Sequence, residues 1–189
     1  MRWANCITMC RMLLALGQVA TFHFWRRYLV VGSLGLTLTV IVLDAVDGWV
    51  ARRTRTCSPG GAAFDTAADR VVENLYWVFF AAAGLVSFWV PIVVATRGVL
   101  TDRFPASHAW LPALYRARWS RALYGVAKAA TFSLLSLELG LHPAPGSLLR
   151  LAADCGIALT VGLCLLRGLP ALASLAGDLL TLPLPEASR

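Results

Sequence analysis

Long apolar runs alternate with short polar breaks along almost the whole chain. A helix needs about 20 largely apolar residues to cross a bilayer, with a lower limit of about 17. On that scale the pattern predicts an all-α integral membrane protein with about six transmembrane helices. The first covers residues 11–25, preceded by an interfacial helix from Trp3. The second covers 28–51. The breaker cluster Ser58-Pro59-Gly60-Gly61 then marks a turn. Further spans follow at about 62–83, 88–101, 121–139 and 149–166. A polar, aromatic-rich stretch at 102–120 separates the fourth span from the fifth. Pro170 is expected to break the chain after the sixth, leaving 171–180 as another interfacial helix. The aromatics Trp77, Phe79, Phe80, Phe88 and Trp89 are read as facing lipid or the interface. There is no internal repeat, and residues 1–189 read as one transmembrane domain.

Composition agrees with this reading. Hydrophobic residues make up 58% of the chain and charged residues 14%, against about a quarter charged in soluble domains. Mean hydropathy is +0.68. A disordered chain and a disulfide-framed miniprotein are excluded. The net charge of +7 comes from arginines scattered along the chain. No basic tail or interleaved aromatic patch suggests a nucleic-acid partner. Arginine placement instead reports orientation. With the N-terminus in the cytoplasm, Arg2, Arg11, Arg52, Arg53, Arg55, Arg103, Arg116, Arg118, Arg121 and Arg189 fall inside. Arg26, Arg27 and Arg150 fall outside. The expectation is a multi-pass protein of the cell (inner or plasma) membrane with both termini cytoplasmic. The cysteines Cys6, Cys10, Cys57, Cys155 and Cys164 contain no CxxC pair and read as small packing residues.

The acidic residues change the picture. Of ten in the chain, Asp44, Asp47, Asp65, Asp69 and Glu73 crowd into or beside predicted spans. Ionisable groups inside a membrane are costly and mark function. Asp44 and Asp47 are three apart and share one helix face, and Asp65 and Asp69 are four apart and share another. A tight turn joins the two helices, so both pairs lie at the same cytoplasmic end. Four carboxylates that repel one another call for protons or divalent cations. An all-oxygen set favours Mg²⁺ or Mn²⁺, and four carboxylates suit two metals that clamp phosphoryl oxygens. Gly48 and Ala51 leave room for a ligand to approach. Arg52 offers a guanidinium fork to phosphate. Gly61 opens a helix whose free N–H groups favour an anion. The other reading of the same carboxylates is a membrane cation-binding or transport protein. It leaves Gly48, Ala51, Arg52 and Gly61 at fixed offsets unaccounted for.

From Asp44 the chain spells D-x2-D-G-x2-A-R-x8-G-x3-D-x3-D, ending at Asp69. This resembles the signature of the CDP-alcohol phosphatidyltransferase family. The resemblance implies displacement of CMP from a CDP-linked lipid, usually CDP-diacylglycerol, by an alcohol acceptor. It implies that Asp44, Asp47, Asp65 and Asp69 bind two divalent cations and that Asp69 is also the base toward the acceptor hydroxyl. Gly48, Ala51, Arg52 and Gly61 would line the CDP pocket, and Ser58 matches a position that contacts the CDP-lipid in some members. Asn5, Thr8 and Arg11 resemble the family's N-x-L-T-x2-R element, with Ala4 where a proline usually precedes it. The family also suggests a homodimer.

Cations in later spans bear on the acceptor. Arg97 interrupts the fourth span and Lys128, the single lysine, interrupts the fifth, just after Arg118 and Arg121. Gly125-x-x-Lys128 resembles a fifth-helix element of phosphatidylglycerophosphate synthases. Arg97 resembles the arginine of their A-R-E-I element, with Gly98 where an acid is expected. The expected acceptor is glycerol-3-phosphate, with inositol phosphate as the alternative. Glu73 is expected to pair with an arginine, and Asp154 and Arg167 to sit at the ends of the last span.

Overall fold

The computed structural model describes residues 3–22, 34–43, 46, 59–103 and 118–181, and six helices are formed among them. They are α1 (Trp3–Phe22), α2 (Leu34–Leu43), α3 (Pro59–Ala82), α4 (Trp89–Arg103), α5 (Arg118–Leu141) and α6 (Leu148–Thr181). No strand occurs among the described residues. Helix α1 packs on α3, α3 on α4, α4 on α6, and α5 most extensively on α6.

Among the described residues two segments, Trp119–Leu141 and Leu148–Ala173, are long and apolar enough to cross a membrane. Shorter apolar helices are Cys6–Ala20 and Leu34–Leu43. The fold class expected from the pattern is thus met as an all-helical chain, while the count of six spans is met by two helices on length and composition. Charge explains part of the difference, since Asp65, Asp69, Arg70 and Glu73 all fall within α3.

Local chemistry sets the boundaries. Pro59 begins α3, where its missing N–H costs nothing because the first turn has no acceptor for it. The breaker cluster is therefore partly the first turn of a helix. At the other end Gly84 adopts φ +78°. Leu85 N–H bonds to Phe80 O and Gly84 N–H to Ala81 O, both at 3.0 Å, which closes the helix with a left-handed glycine. Ser147 caps α6 by accepting from the Arg150 N–H at 3.3 Å.

Two expectations need correction. Pro170 does not end the last span, for α6 runs unbroken through it to Thr181. A proline removes one backbone bond, and tertiary packing can hold the helix together, as with Ala171 next to it, which is 2% exposed. Trp77 and Phe80 do not face lipid either; both are 0% exposed. They pack with Tyr76 around Phe132 of α5, the Tyr76 and Trp77 rings lying 5.1 and 5.0 Å from it. Phe79 is also buried, whereas Phe88 and Trp89 are exposed as expected.

A buried polar chain crosses this core. Tyr76 Oη donates to Gln18 Oε1 at 2.6 Å, and Gln18 Nε2 donates to Thr37 Oγ1 at 2.9 Å. Thr37 and Ser136 share a hydroxyl bond of 2.9 Å. Helices α1, α2, α3 and α5 are thereby joined through groups that would each be costly to bury alone.

Candidate active site

Asp65 and Asp69 lie one turn apart near the start of α3. The Arg11 guanidinium of α1 faces them. Its Nη2 donates to Asp69 Oδ1 at 2.6 Å and lies 3.8 Å from Asp65 Oδ1. The arginine side chain is 2% exposed, while each carboxylate is about half exposed. Thr8, one turn before Arg11, is buried, Asn5 lies in the first turns of α1, and Gly61 lies in the first turn of α3. Asp44, Asp47, Gly48, Ala51, Arg52 and Ser58 lie outside the described residues, so half of the expected carboxylate cluster is positioned only by sequence.

The residues present fit a hard cation. Asp65 Oδ1 is buried and accepts no hydrogen bond. A buried carboxylate oxygen without a donor is unfavourable unless a cation or a proton meets it. Oxygen donors are what Mg²⁺ and Mn²⁺ take. Among the described residues no group of three or more metal-ligating side chains is assembled.

A second cluster gathers on α5. The Tyr124 hydroxyl donates to Glu73 Oε1. Three cations stand over the Tyr124 ring: Arg97 at 5.4 Å, Arg167 at 5.4 Å and Lys128 at 5.7 Å from its centroid. Each comes from a different helix, α4, α6 and α5. Lys128 Nζ and Arg70 Nη1 also approach Glu73 Oε2 at 3.8 and 3.6 Å. The expected arginine partner of Glu73 is thus Arg70, and Lys128 and Tyr124 join it. Arg70 in turn makes a two-pronged contact with Asp102, at 3.1 and 3.0 Å.

Helix geometry produces this convergence. Arg97 is 8% exposed and points inward, where its Nε donates to the Cys164 carbonyl at 3.2 Å. Gly168 makes the approach possible, because a Cβ there would stand 2.7 Å from Arg97 Cγ. Arg167 Nη1 reaches back to the Ser120 carbonyl at 3.2 Å. Arg97 and Lys128 thus converge on Tyr124, and Arg167 is added to them. The sequence reading missed Arg167 by placing it at a helix end. The signal was there, since Arg97, Lys128 and Arg167 each interrupt an apolar run. Arg121 is exposed, and Arg118 begins α5.

One cavity of about 350 Å³ runs from Arg11 and Asp69 to Glu73 and Lys128 of the second cluster, with Tyr124, Arg97 and Arg167 behind its wall. Its polar lining comprises Arg11, Asp69, Glu73, Tyr76 and Lys128, and Gly125 lies along its wall. Val40, Val72, Val126 and Phe132 contribute apolar lining. A small ligand there would touch a carboxylate at one end and a lysine at the other.

An α-helical bundle with an aspartate pair on one helix face, and two helices fit to cross a bilayer, defines a membrane-associated class of protein. Residues 1–166 match the family described as CDP-alcohol phosphatidyltransferase, and the chain belongs to that family. It is 41% identical over 66 residues to an archaetidylinositol phosphate synthase of Aeropyrum pernix, covering 35% of this chain and 34% of that protein. It is 31% identical over 115 residues to a CDP-diacylglycerol–glycerol-3-phosphate 3-phosphatidyltransferase of Mycoplasma pneumoniae, covering 55% of this chain and 50% of that protein. The chain thus matches about a third and a half of the lengths of these relatives. No solved structure matches it.

Proposed function

We propose that this protein moves a phosphatidyl group from CDP-diacylglycerol to a small phosphorylated alcohol, releasing CMP. Glycerol-3-phosphate is the preferred acceptor. The observation that carries this reading is the cavity running from Asp69 to Lys128, with Arg97 and Arg167 beside Lys128 on Tyr124. Three cations gathered around one aromatic ring suit a phosphate. An acceptor anchored there by its phosphate can direct a hydroxyl toward Asp69. Both relatives carry a phosphorylated alcohol in their names. An inositol phosphate would use the same cations.

Asp69 takes the acceptor's proton as the oxygen attacks the β-phosphorus, and the bond from that phosphorus to the CMP oxygen breaks. Asp44, Asp47, Asp65 and Asp69 would hold two divalent cations, Mg²⁺ or Mn²⁺, whose chemistry is to neutralise the diphosphate and the departing CMP. Gly48, Ala51, Arg52, Ser58 and Gly61, with Asn5 and Thr8, would bind the CDP-lipid. The reaction is placed at the cytoplasmic side of a six-span protein with both termini inside, working as a homodimer among membrane lipids.

The test is CMP release by purified protein in detergent micelles with CDP-diacylglycerol and Mg²⁺ or Mn²⁺. Glycerol-3-phosphate, inositol-1-phosphate, inositol, serine and choline are offered separately, with Asp69→Asn as the blank. Release with glycerol-3-phosphate is expected. Release only with an unphosphorylated alcohol would overturn the acceptor assignment.

A further inference from the structure

Arg11 stands in a position that the proposed chemistry leaves unused. An arginine stays protonated at any physiological pH. With its side chain 2% exposed, its charge needs carboxylates close by. Asp65 and Asp69, for their part, repel each other across one helical turn and need a cation. The 2.6 Å contact to Asp69 Oδ1 meets the first need, and the 3.8 Å approach to Asp65 Oδ1 meets the second in part. Yet these are the carboxylates assigned to metals, a reading on which this inference rests. A guanidinium and a dication therefore claim the same oxygens.

We propose that Arg11 is the resident counter-ion of the carboxylate cluster, and that it makes tight divalent-metal binding depend on arrival of the CDP-lipid's diphosphate. A dication entering beside a fixed guanidinium meets its repulsion at a few ångströms. A diphosphate offsets that repulsion by accepting from the guanidinium on one side and meeting the metal on the other. Arg11 lines the cavity together with Asp69, so an anion in the cavity can reach both. Binding of the two ligands is thereby coupled, by the same factor in either direction. Arg11 is a positioning residue. It holds one oxygen of Asp69 and leaves the other available for the acceptor's proton.

The test titrates Mn²⁺ into the purified full-length protein in detergent micelles, with and without CDP-diacylglycerol, and reads free Mn²⁺ by electron paramagnetic resonance. In the wild type the lipid is expected to tighten Mn²⁺ binding by on the order of tenfold or more. Arg11→Gln is expected to tighten binding of Mn²⁺ alone by about tenfold and to shrink the lipid's effect toward none. Arg11→Lys, which keeps the charge, is expected to retain the coupling. If Arg11 only braces the helices, Arg11→Gln will loosen Mn²⁺ binding along with thermal stability, which overturns the proposal. Should Arg11→Gln not fold, a wild type whose Mn²⁺ affinity ignores the lipid overturns it equally. Mn²⁺ binding that is lost in Asp69→Asn but unchanged in Arg11→Gln removes this proposal and leaves the metal assignment standing. A wild type that binds no Mn²⁺ under either condition removes both.

Discussion

Two ion clusters occupy opposite ends of the same helices. Far from Asp69, Arg150 of α6 donates to Glu138 Oε1 of α5 at 2.5 Å, lies 3.2 Å from Asp154 and donates to the Leu85 carbonyl at 3.4 Å. One cation there serves two carboxylates and a carbonyl, and it clamps α5, α6 and the end of α3. Around Tyr124 the balance is reversed. Arg97, Lys128 and Arg167 converge on one ring, and Glu73 stands beside them shared by Lys128 and Arg70. A cavity opens next to this second cluster. Charges that pair off locally hold helices together, whereas a surplus of one sign gathered behind a cavity that Lys128 lines favours a ligand of the other sign.

That contrast can be broken by experiment. The largest expected change is at Asp69, where replacement by Asn should cut CMP release roughly 10²- to 10⁴-fold, the usual contribution of a general base. Its melting temperature should fall as well, because the buried Arg11 loses its 2.6 Å partner, so the rates are compared at a temperature where both proteins are folded. Next, Arg150→Ala should lower stability by about 3 kcal/mol, because it leaves Glu138 buried without its cation. Thermal unfolding measures this, and both KM values at a permissive temperature should be unchanged. A raised acceptor KM would mean that the far end also serves the substrate. Arg167→Ala should do the opposite, raising the acceptor KM by roughly tenfold or more through loss of a charge-assisted contact. The KM for CDP-diacylglycerol should not move. Gly168→Ala tests the same surplus indirectly. Its new methyl would displace Arg97, and a severalfold rise in acceptor KM is expected from steady-state kinetics. Ser136→Ala should have the smallest effect, about 1 kcal/mol in thermal unfolding, with no kinetic signature.

The two clusters were unequally legible in the sequence. Asp65 and Asp69 could be placed because a four-residue spacing on a helix leaves one possible face, and in the structure both meet Arg11. Arg97 and Lys128 could be singled out because a charge inside an apolar run demands an explanation. Arg167 was misplaced because Pro170 looked like the end of the helix. Once α6 continues to Thr181, Arg167 is interior and turns toward Tyr124. The inward turn of Trp77 and Phe80 was not legible, since an apolar residue in a helix expected to span the membrane suits lipid and protein interior alike. Gly98 is a different case. The family pattern led us to expect an acid there, yet the glycine lies against Arg70, 3.6 Å from its Cδ to where a Cβ would be. Asp102, one turn further along α4, supplies the carboxylate to that arginine instead. A single missing acid in the sequence thus says little about the charge present in space.

The chain of hydroxyl and amide groups through the core also bears on biogenesis. Gln18 and Thr37 belong to the first two helices, while Ser136, 99 residues after Thr37, belongs to the fifth. If the chain inserts from its N-terminus as the proposed six-span protein, those polar groups would enter the bilayer long before their last partner is synthesised. The leading helices would then wait in an unsealed state, and a nascent chain stopped before Ser136 would present quality-control proteases with polar groups that the finished bundle conceals.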